Sequence, residues 1–340
     1  MNIKESKKPI SFKFVKNLIK GEFSKNNLDI TCIIFKSIDD LNLIIYTTNE
    51  KSIICYNINT NQKVNEVLNA HNTEITYLNH YSEKHNKINL MLTLSGNDNN
   101  LKVWNIKNFQ CLHDFTKINM QGWINCSCFL NDNNKIYVLS TNSLGYSKNP
   151  EPIKVFDLKG KKIMNINNSD NNTNFIDIYY DNKNSIKYII TGNVGFSKSY
   201  DYKNNKVYQI YNDNNEAKRF RLNSIIKEVG DKVELIESSR DGNIRIWNFH
   251  NANLLKKINI SLDYLNLYSI FLWDNDYLLA CCGSKTENNI KIINLNKQDI
   301  TEVKEQNNAF LEISKIIHPQ YGECLVSQEN SGFTLWVVED

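Results

Sequence analysis

Glycine and proline are scarce in this sequence, which has 12 Gly and 4 Pro among its 340 residues. That scarcity excludes a collagen-like chain and a proline-rich linker. Hydrophobic residues make up 41% of the chain and aromatic residues 11%, which is enough apolar side chain for a full core and too much for an intrinsically disordered protein. The chain is therefore predicted to be globular.

Long apolar runs and strong net charge are also missing. No stretch approaches the roughly 18 uncharged apolar residues of a transmembrane helix, and the first 20 residues scatter six lysines among apolar positions, unlike a secretory signal. We therefore expect a cytoplasmic or nuclear protein without an integral membrane segment. The net charge of +3 is too mild for a dedicated nucleic-acid-binding protein, so no nucleic acid is expected as a partner.

The short motifs of common catalytic and metal sites are absent as well. The sequence has no Cys-x-x-Cys pair, no His-Glu-x-x-His and no Gly-x-Ser-x-Gly. Its eight cysteines are most simply interpreted as small buried apolar residues in a reducing compartment. We predict a protein that is not an enzyme, with no catalytic residues, no cofactor and no metal.

Two segments of the chain share one plan. Residues 95–105 read SGNDNNLKVWN and residues 238–248 read SSRDGNIRIWN. Each has a Ser, an Asp six residues before a Trp, a turn, alternating apolar residues and then Trp-Asn. A similarity of this kind indicates an internal repeat.

Weaker copies extend this plan along the whole chain. An aromatic or apolar residue recurs at the Trp position at intervals of 43 to 52 residues; these seven positions are Tyr56, Trp104, Phe156, Tyr200, Trp247, Ile293 and Trp336. The next residue is Asn or Asp at six of the seven, and Val337 is the exception. The chain is therefore predicted to contain seven repeats of about 47 residues.

Each repeat has room for four short strands rich in Ile, Val, Tyr and Phe, separated by turn-forming Asn, Asp and Gly. In the second repeat they are predicted at Glu74–Tyr81, Ile88–Ser95, Asn100–Asn105 and Gln110–Phe115. No segment has a comparable helical period. The fold class predicted is all-β: a seven-bladed β-propeller of four-stranded antiparallel blades.

The two ends of the chain predict how the ring closes. The sequence stops just after the third strand of the last repeat, Phe333–Val338, so that repeat lacks a fourth strand. The strand-like run Ile10–Ile19 precedes the first repeat and has no other place. We predict that this N-terminal strand completes the last blade and removes an open edge.

These repeats resemble the WD40-repeat β-propeller family, most strongly in repeats two and five, and the resemblance covers residues 1–340 as one WD40-like domain. In that family a His, a Ser or Thr, an Asp and a Trp form a hydrogen-bonded structural tetrad. The matching residues in repeat two are His71, Ser95, Asp98 and Trp104. Repeat five has Ser238, Asp241 and Trp247 but no matching His. The boundaries of blades three, four and six are left open.

The resemblance implies a non-catalytic scaffold or adaptor for protein–protein interaction, because one face of such a propeller commonly docks proteins or peptides. That face carries the loops from the fourth strand of a blade to the first of the next, and from the second strand to the third. All four Arg of the chain fall in repeat five. Because a guanidinium suits carboxylate or phosphate, we predict an acidic or phosphorylated ligand at Lys218, Arg219, Arg221 and Arg240, the alternative being a solvated charged face.

A second candidate surface lies in repeat three. The loop from Thr141 to Pro152 is longer than its counterparts and carries Tyr146, and long loops on a rigid scaffold often bind partners. Trp123 could join it as an aromatic anchor, or could simply cover the core.

The sequence leaves two alternatives to a scaffold function. The basic segment Lys218–Arg221 supports a propeller that binds phosphoinositides on membranes, but the Arg-Arg-Gly motif that marks such propellers is absent. An enzyme with its site in the central channel would need converging acid, base or metal ligands at the inner strands, and the sequence suggests no such set.

Overall fold

The fold is described here from a computed structural model. It describes residues 10–20, 31–48, 51–95, 100–115, 123–143, 152–166, 173–213, 220–260, 266–283, 288–304, 310–329 and 332–339. Within these ranges every regular element is a β-strand, and the strands number 28. No helix in the described ranges is long and apolar enough to cross a membrane.

The strands group into seven sheets of four, called blades one to seven. Blade one contains β2 (Cys32–Lys36), β3 (Asn42–Thr48), β4 (Ser52–Asn57) and β5 (Gln62–Val67). Blade two contains β6 (Ile75–Glu83), β7 (Ile88–Ser95), β8 (Asn100–Asn105) and β9 (Gln110–Asp114). Blade three contains β10 (Trp123–Asp132), β11 (Lys135–Ser143), β12 (Ile153–Asp157) and β13 (Lys162–Ile166). Blade four contains β14 (Phe175–Asp181), β15 (Ile186–Gly192), β16 (Ser197–Asp201) and β17 (Lys206–Tyr211).

The remaining three blades follow the same order. Blade five contains β18 (Arg221–Val229), β19 (Lys232–Ser239), β20 (Asn243–Asn248) and β21 (Leu254–Asn259). Blade six contains β22 (Asn266–Leu272), β23 (Tyr277–Gly283), β24 (Asn288–Asn294) and β25 (Ile300–Lys304). Blade seven contains β26 (Phe310–His318), β27 (Gly322–Glu329), β28 (Gly332–Val338) and, as its fourth strand, β1 (Phe12–Lys20).

The blades close into a ring. The first strand of every blade contacts the first strands of both neighbouring blades, and β26 contacts β2 to complete the circle. These seven strands therefore surround the central axis, and the strands of each blade are named a to d from the inside outward. The upper face carries the d–a and b–c connections, and the lower face carries the a–b and c–d turns. The predicted fold class, a seven-bladed propeller, is confirmed.

The predicted closure is confirmed as well. β1 pairs antiparallel with β28, with Phe12 opposite Val338 and Phe14 opposite Trp336. The ring of Phe12 also meets that of Trp273 in blade six edge to face, with centroids 5.1 Å apart. One sheet thus joins the two ends of the described chain, which removes an exposed edge from the ring.

Both faces of each blade are buried against neighbouring blades, so the strands are rich in apolar residues at successive positions. On β20, Ile244 and Ile246 pack in a cluster that reaches Ile270 of blade six, whereas Trp247 packs with Tyr188 of blade four. Alternate residues of a strand point to opposite faces, so each blade contributes to two interblade cores.

The Asn or Asp that follows the Trp position of a repeat begins the c–d turn of that blade. The side-chain Oδ1 of each accepts a hydrogen bond from a backbone N–H two or three residues later, at 2.9 to 3.0 Å. The six residues are Asn57, Asn105, Asp157, Asp201, Asn248 and Asn294. Only Asn and Asp make this turn well. Val337 is the exception because the fourth strand of blade seven comes from the other end of the chain, so no c–d turn follows it.

Candidate interaction surface

In blade two, His71 and Trp104 of the predicted set meet at one hydroxyl, which is not that of the predicted Ser95. His71 Nε2 lies 2.7 Å from Thr93 Oγ1, and Trp104 Nε1 donates to the same oxygen at 2.8 Å. Ser95 instead contacts Thr73. The central hydroxyl is therefore that of Thr93 and not that of Ser95, because β7 presents Thr93 toward the indole. Asp98 lies outside the described residues.

Blade seven repeats the indole–hydroxyl pair, which the sequence analysis missed. Trp336 Nε1 donates to Ser327 Oγ at 2.8 Å, and both groups are buried. In blades two and seven the hydroxyl lies two residues after the b-strand residue that pairs with the Trp, which is Met91 in blade two and Leu325 in blade seven. This offset is counted from the strand pairing, so the sequence alone does not reveal it.

Blade five departs from this arrangement. Trp247 pairs with Leu235, so the residue at the hydroxyl position is Glu237. Glu237 accepts a hydrogen bond from Ser197 Oγ of blade four at 2.5 Å, and its other oxygen lies 3.1 Å from Arg221 Nε. Trp247 Nε1 has no hydrogen-bond partner in the described part of the chain. Blade five has thus replaced the hydroxyl with a carboxylate that faces the neighbouring blade.

A buried ionic network extends from this carboxylate. Arg221 Nη2 lies 3.5 Å from Asp213 and donates to the carbonyl oxygen of Gly195 at 3.1 Å. Arg245 donates from Nε to Asp213 at 2.7 Å and from Nη2 to Asp241 at 2.5 Å. This ionic network links Asp213, two residues after β17, to Asp241 in the b–c turn of blade five on the upper face.

The charges of the ionic network are mutually compensated. Lys257 Nζ lies 3.9 Å from Asp213, so that three cations face three carboxylates. Burial disfavours the ionised form of Asp241, but the hydrogen bonds from Arg245, Ser239 and Asn243, with the charge of Arg245, outweigh it and lower the pKa of Asp241 to about 2. Asp241 is therefore ionised at neutral pH.

Arg221 must be removed from the predicted ligand-binding set. Its side chain is only 2% exposed, and its guanidinium is directed to Asp213, Glu237 and Gly195. A buried cation that is already bound by carboxylates cannot also bind an external ligand without breaking the network. Local sequence could not indicate this burial, because the carboxylates come from separate elements.

Arg240 has the opposite environment. It lies in the b–c turn of blade five, its side chain is exposed, and its Cζ lies 5.0 Å from the centroid of the Phe220 ring. Its backbone N–H donates to the carbonyl oxygen of Phe220 at 3.0 Å. No carboxylate within the described ranges pairs with this guanidinium, so it remains able to bind an anion.

Phe220 is itself held by blade four. It forms an antiparallel bridge with Val194 in the b–c connection of that blade, and the next residue, Arg221, donates its N–H to Asn193 at 3.0 Å. In the same connection Phe196 is half-buried, with the Lys198 ammonium 5.2 Å from its ring centroid. The Arg240 surface, defined as Val194, Phe196, Phe220 and Arg240, is thus apolar with one available positive charge.

The other predicted binding residues are not brought into this surface by any described contact. Lys218, Arg219 and Tyr146 lie outside the described residues. Trp123 is the first residue of β10, where its backbone pairs with Ser143. The predicted roles of these four residues in ligand binding remain predictions.

The inner strands carry two carboxyl groups that the sequence analysis did not single out. Burial raises the pKa of Asp177 on β14 to about 6. Burial also raises the pKa of Glu312 on β26 to about 7, although Ser269 Oγ donates to it at 2.8 Å. Among the described residues no group of three or more His, Cys, Asp or Glu could hold a metal ion.

Comparison with known proteins leaves the family open. The propeller architecture is consistent with a WD40-like protein. No protein-family model matches the chain, and no curated protein matches it significantly.

Proposed function

We propose that this protein is a WD40-like, non-catalytic scaffold or adaptor that docks an acidic or phosphorylated peptide on its Arg240 surface. The observation that carries the proposal is an exposed guanidinium without a carboxylate partner among the described residues, next to a charge-compensated ionic network. Propellers of this kind commonly serve as interaction platforms, and a rigid scaffold that presents loops is suited to that task.

The environment of Arg240 supports an anionic ligand next to an apolar one. A guanidinium binds carboxylate or phosphate in a two-pronged manner. The Arg240 guanidinium, whose Cζ lies 5.0 Å from the centroid of the Phe220 ring, has no carboxylate partner among the described residues. Phe196 and Val194, both half-buried, offer apolar contact area for a neighbouring side chain of the partner. We therefore expect the docked segment to combine an Asp, Glu or phosphorylated residue with an adjacent apolar residue.

The burial of Arg221 weakens the phosphoinositide alternative. The segment Lys218–Arg221 was its only support, and one of the two arginines in that segment is committed to the ionic network. Flotation with liposomes that do or do not contain phosphoinositides tests this alternative directly.

The test of the docking proposal compares two charge reversals on one blade. Arg240→Glu lies on the upper face, and Lys232→Glu makes the same change at an exposed residue on the lower face. Binding is measured by fluorescence anisotropy with peptide pools that contain a fixed central phosphoserine, Glu or Lys flanked by Leu. The same two variants are used for affinity capture from the native cell.

We expect the phosphoserine and Glu pools to bind better than the Lys pool, and Arg240→Glu to weaken that binding about ten- to a hundredfold, the range for losing a charge-assisted hydrogen bond. Lys232→Glu should leave it unchanged. Equal binding of the three pools, or equal binding by Arg240→Glu and the wild type with the same melting temperature, would contradict the proposal.

A further inference from the structure

A cleft of about 680 Å³ opens on the lower face between blades three and four. Its walls are the a–b turns of the two blades, at residues 132–133 and 184–187, and the c–d turn of blade four, at residues 201–204. Met164 on β13 completes it. This volume lies within the range of about 300 to 1,000 Å³ that is typical of small-ligand pockets.

Tyr202 lines this cleft, and its hydroxyl is not hydrogen-bonded to any described residue. Its side chain is 9% exposed and packs in the core between blades three and four, while the residue also lines the cleft. The hydroxyl has no hydrogen-bond partner among the described residues, and it is not sealed from solvent. Burial, with a smaller effect of Asp132 and Tyr137, raises the pKa of Tyr202 to about 12, so the hydroxyl keeps its proton at neutral pH and can donate it.

The two carboxylates of the cleft are already bound by donors of the protein. Asp132 pairs with Lys187 across the blade boundary. Asp201 accepts from the backbone N–H of Asn204 at 3.0 Å and from its Nδ2 at 2.7 Å, one bond to each carboxylate oxygen. Neither carboxylate therefore needs a ligand to satisfy it.

Two donor groups of the cleft, the Lys203 ammonium and the Ser185 hydroxyl, have no such partner among the described residues. Lys203 follows Asp201 in the same turn, is exposed, and makes no ion pair with a described residue. Ser185, in the a–b turn of blade four, is exposed and its hydroxyl makes no hydrogen bond there. Together with the Tyr202 hydroxyl, the cleft thus offers three uncommitted donor groups, one of them a cation.

We propose that this lower cleft binds a carboxylate group attached to a small apolar body. The Tyr202 hydroxyl and the Lys203 ammonium donate to the carboxylate, and the Tyr202 ring and Met164 contact the apolar part. An acidic residue beside an apolar residue in a partner peptide has this chemistry, and so does a free branched-chain organic acid. The cleft lies on the face opposite to the Arg240 surface, so this inference does not rest on the proposed function.

The test uses three probes whose binding is measured by saturation-transfer NMR titration. Acetyl-Leu-Glu-Leu-amide carries the carboxylate in a peptide, acetyl-Leu-Gln-Leu-amide replaces it with an amide, and 4-methylpentanoate is the free acid. The protein is used as wild type and as Tyr202→Phe, which removes only the hydroxyl, and Lys203→Gln. The control is Lys107→Gln, because Lys107 occupies the same position in the c–d turn of blade two and is exposed.

We expect the Glu peptide or the free acid to bind the wild type at least tenfold more tightly than the Gln peptide. Tyr202→Phe should weaken that binding about three- to tenfold and Lys203→Gln about tenfold, while Lys107→Gln binds like the wild type. Tighter binding of the peptide identifies a macromolecular partner, and equal or tighter binding of 4-methylpentanoate identifies a free acid.

Three results would overturn the inference: no binding of either carboxylate probe, equal binding of the Glu and Gln peptides, or binding that neither cleft substitution weakens. Thermal unfolding of each variant checks that the fold is intact. Lys203 is exposed, so Lys203→Gln remains informative even if Tyr202→Phe destabilises blade four.

Discussion

At the scale of single residues, Thr93 is the clearest example of a side chain that the fold depends on. One hydroxyl accepts from the Trp104 indole and bonds to His71, and all three residues are buried. Removing it takes this hydrogen bond from two buried atoms, Trp104 Nε1 and His71 Nε2, and such a loss from buried polar groups costs more than the bonds themselves.

We therefore predict that Thr93→Val lowers the free energy of unfolding by about 2 to 4 kcal/mol, because each unsatisfied buried group costs about 1 to 3 kcal/mol. Thr93→Ser keeps the hydroxyl and should cost less than about 1.5 kcal/mol for the missing methyl group. Urea unfolding followed by tryptophan fluorescence measures both. If Thr93→Val and Thr93→Ser lower the free energy of unfolding equally, the hydroxyl does not stabilise the fold through these hydrogen bonds.

Residue identity predicted some of these contacts and not others. His71 and Trp104 were assigned from the resemblance to the WD40 tetrad, and both contact the Thr93 hydroxyl. The resemblance assigned Ser95 instead of Thr93 because the choice depends on which b-strand residue pairs with the Trp, and that register is set by the fold. Arg221 is held in the interior by two carboxylates from separate elements, Asp213 after β17 and Glu237 on β19, so local sequence could not reveal its burial.

At the scale of elements, β-strand periodicity was a strong guide. The predicted β7 and β8 agree with the structure at both ends, Ile88–Ser95 and Asn100–Asn105. The inner strand β6 ends two residues later than predicted, at Glu83. The polar residues at its end look like a turn in the sequence, but they continue to pair with β7, since Glu83 lies opposite Ile88. The cleft between blades three and four was not predictable, because its walls come from turns that meet only in the closed ring.

The closing strand β1 permits a matched pair of substitutions. Phe12 is buried and its ring meets Trp273 of blade six, whereas Phe14 on the same strand is 46% exposed. We predict that Phe12→Ala lowers the free energy of unfolding by about 3 kcal/mol, the usual cost of removing a buried Phe ring. Phe14→Ala should cost less than about 1.5 kcal/mol, for its edge contact with Trp336.

Urea unfolding and limited proteolysis at the N-terminus measure this difference. If β1 only lies on the ring without closing it, both substitutions will have equally small effects and neither will increase cleavage.

At the scale of the whole molecule, buried carboxyl groups give opposite pH dependences in two places. The pKa of Glu312 is raised to about 7 and that of Asp177 to about 6 by burial near the central axis. Because the pKa of each group is higher in the folded than in the unfolded protein, its protonated form contributes to the free energy of unfolding. This contribution is complete below the usual pKa values, near 4, and is lost as the pH rises through 6 to 7. The pKa of Asp241 is lowered to about 2, so its contribution is present above pH 4 and is lost as the pH falls toward 2.

We therefore predict that Glu312 and Asp177 raise the free energy of unfolding as the pH is lowered from 7 to about 4.5. His80, whose pKa burial lowers to about 4, opposes this rise over the same range, and protonation of Asp241 lowers the free energy of unfolding below about pH 4. Glu312→Gln removes the largest of the raised groups, so it should stabilise the protein at pH 7 by up to about 3 kcal/mol and flatten the rise toward pH 5. Glu323→Gln, at an exposed carboxyl of the same blade, should leave the profile unchanged. Urea titrations at pH 7, 6, 5, 4 and 3 give the profile of each protein. A profile between pH 7 and 5 that has the same slope in the wild type and in Glu312→Gln would mean that Glu312 is ionised in the folded ring.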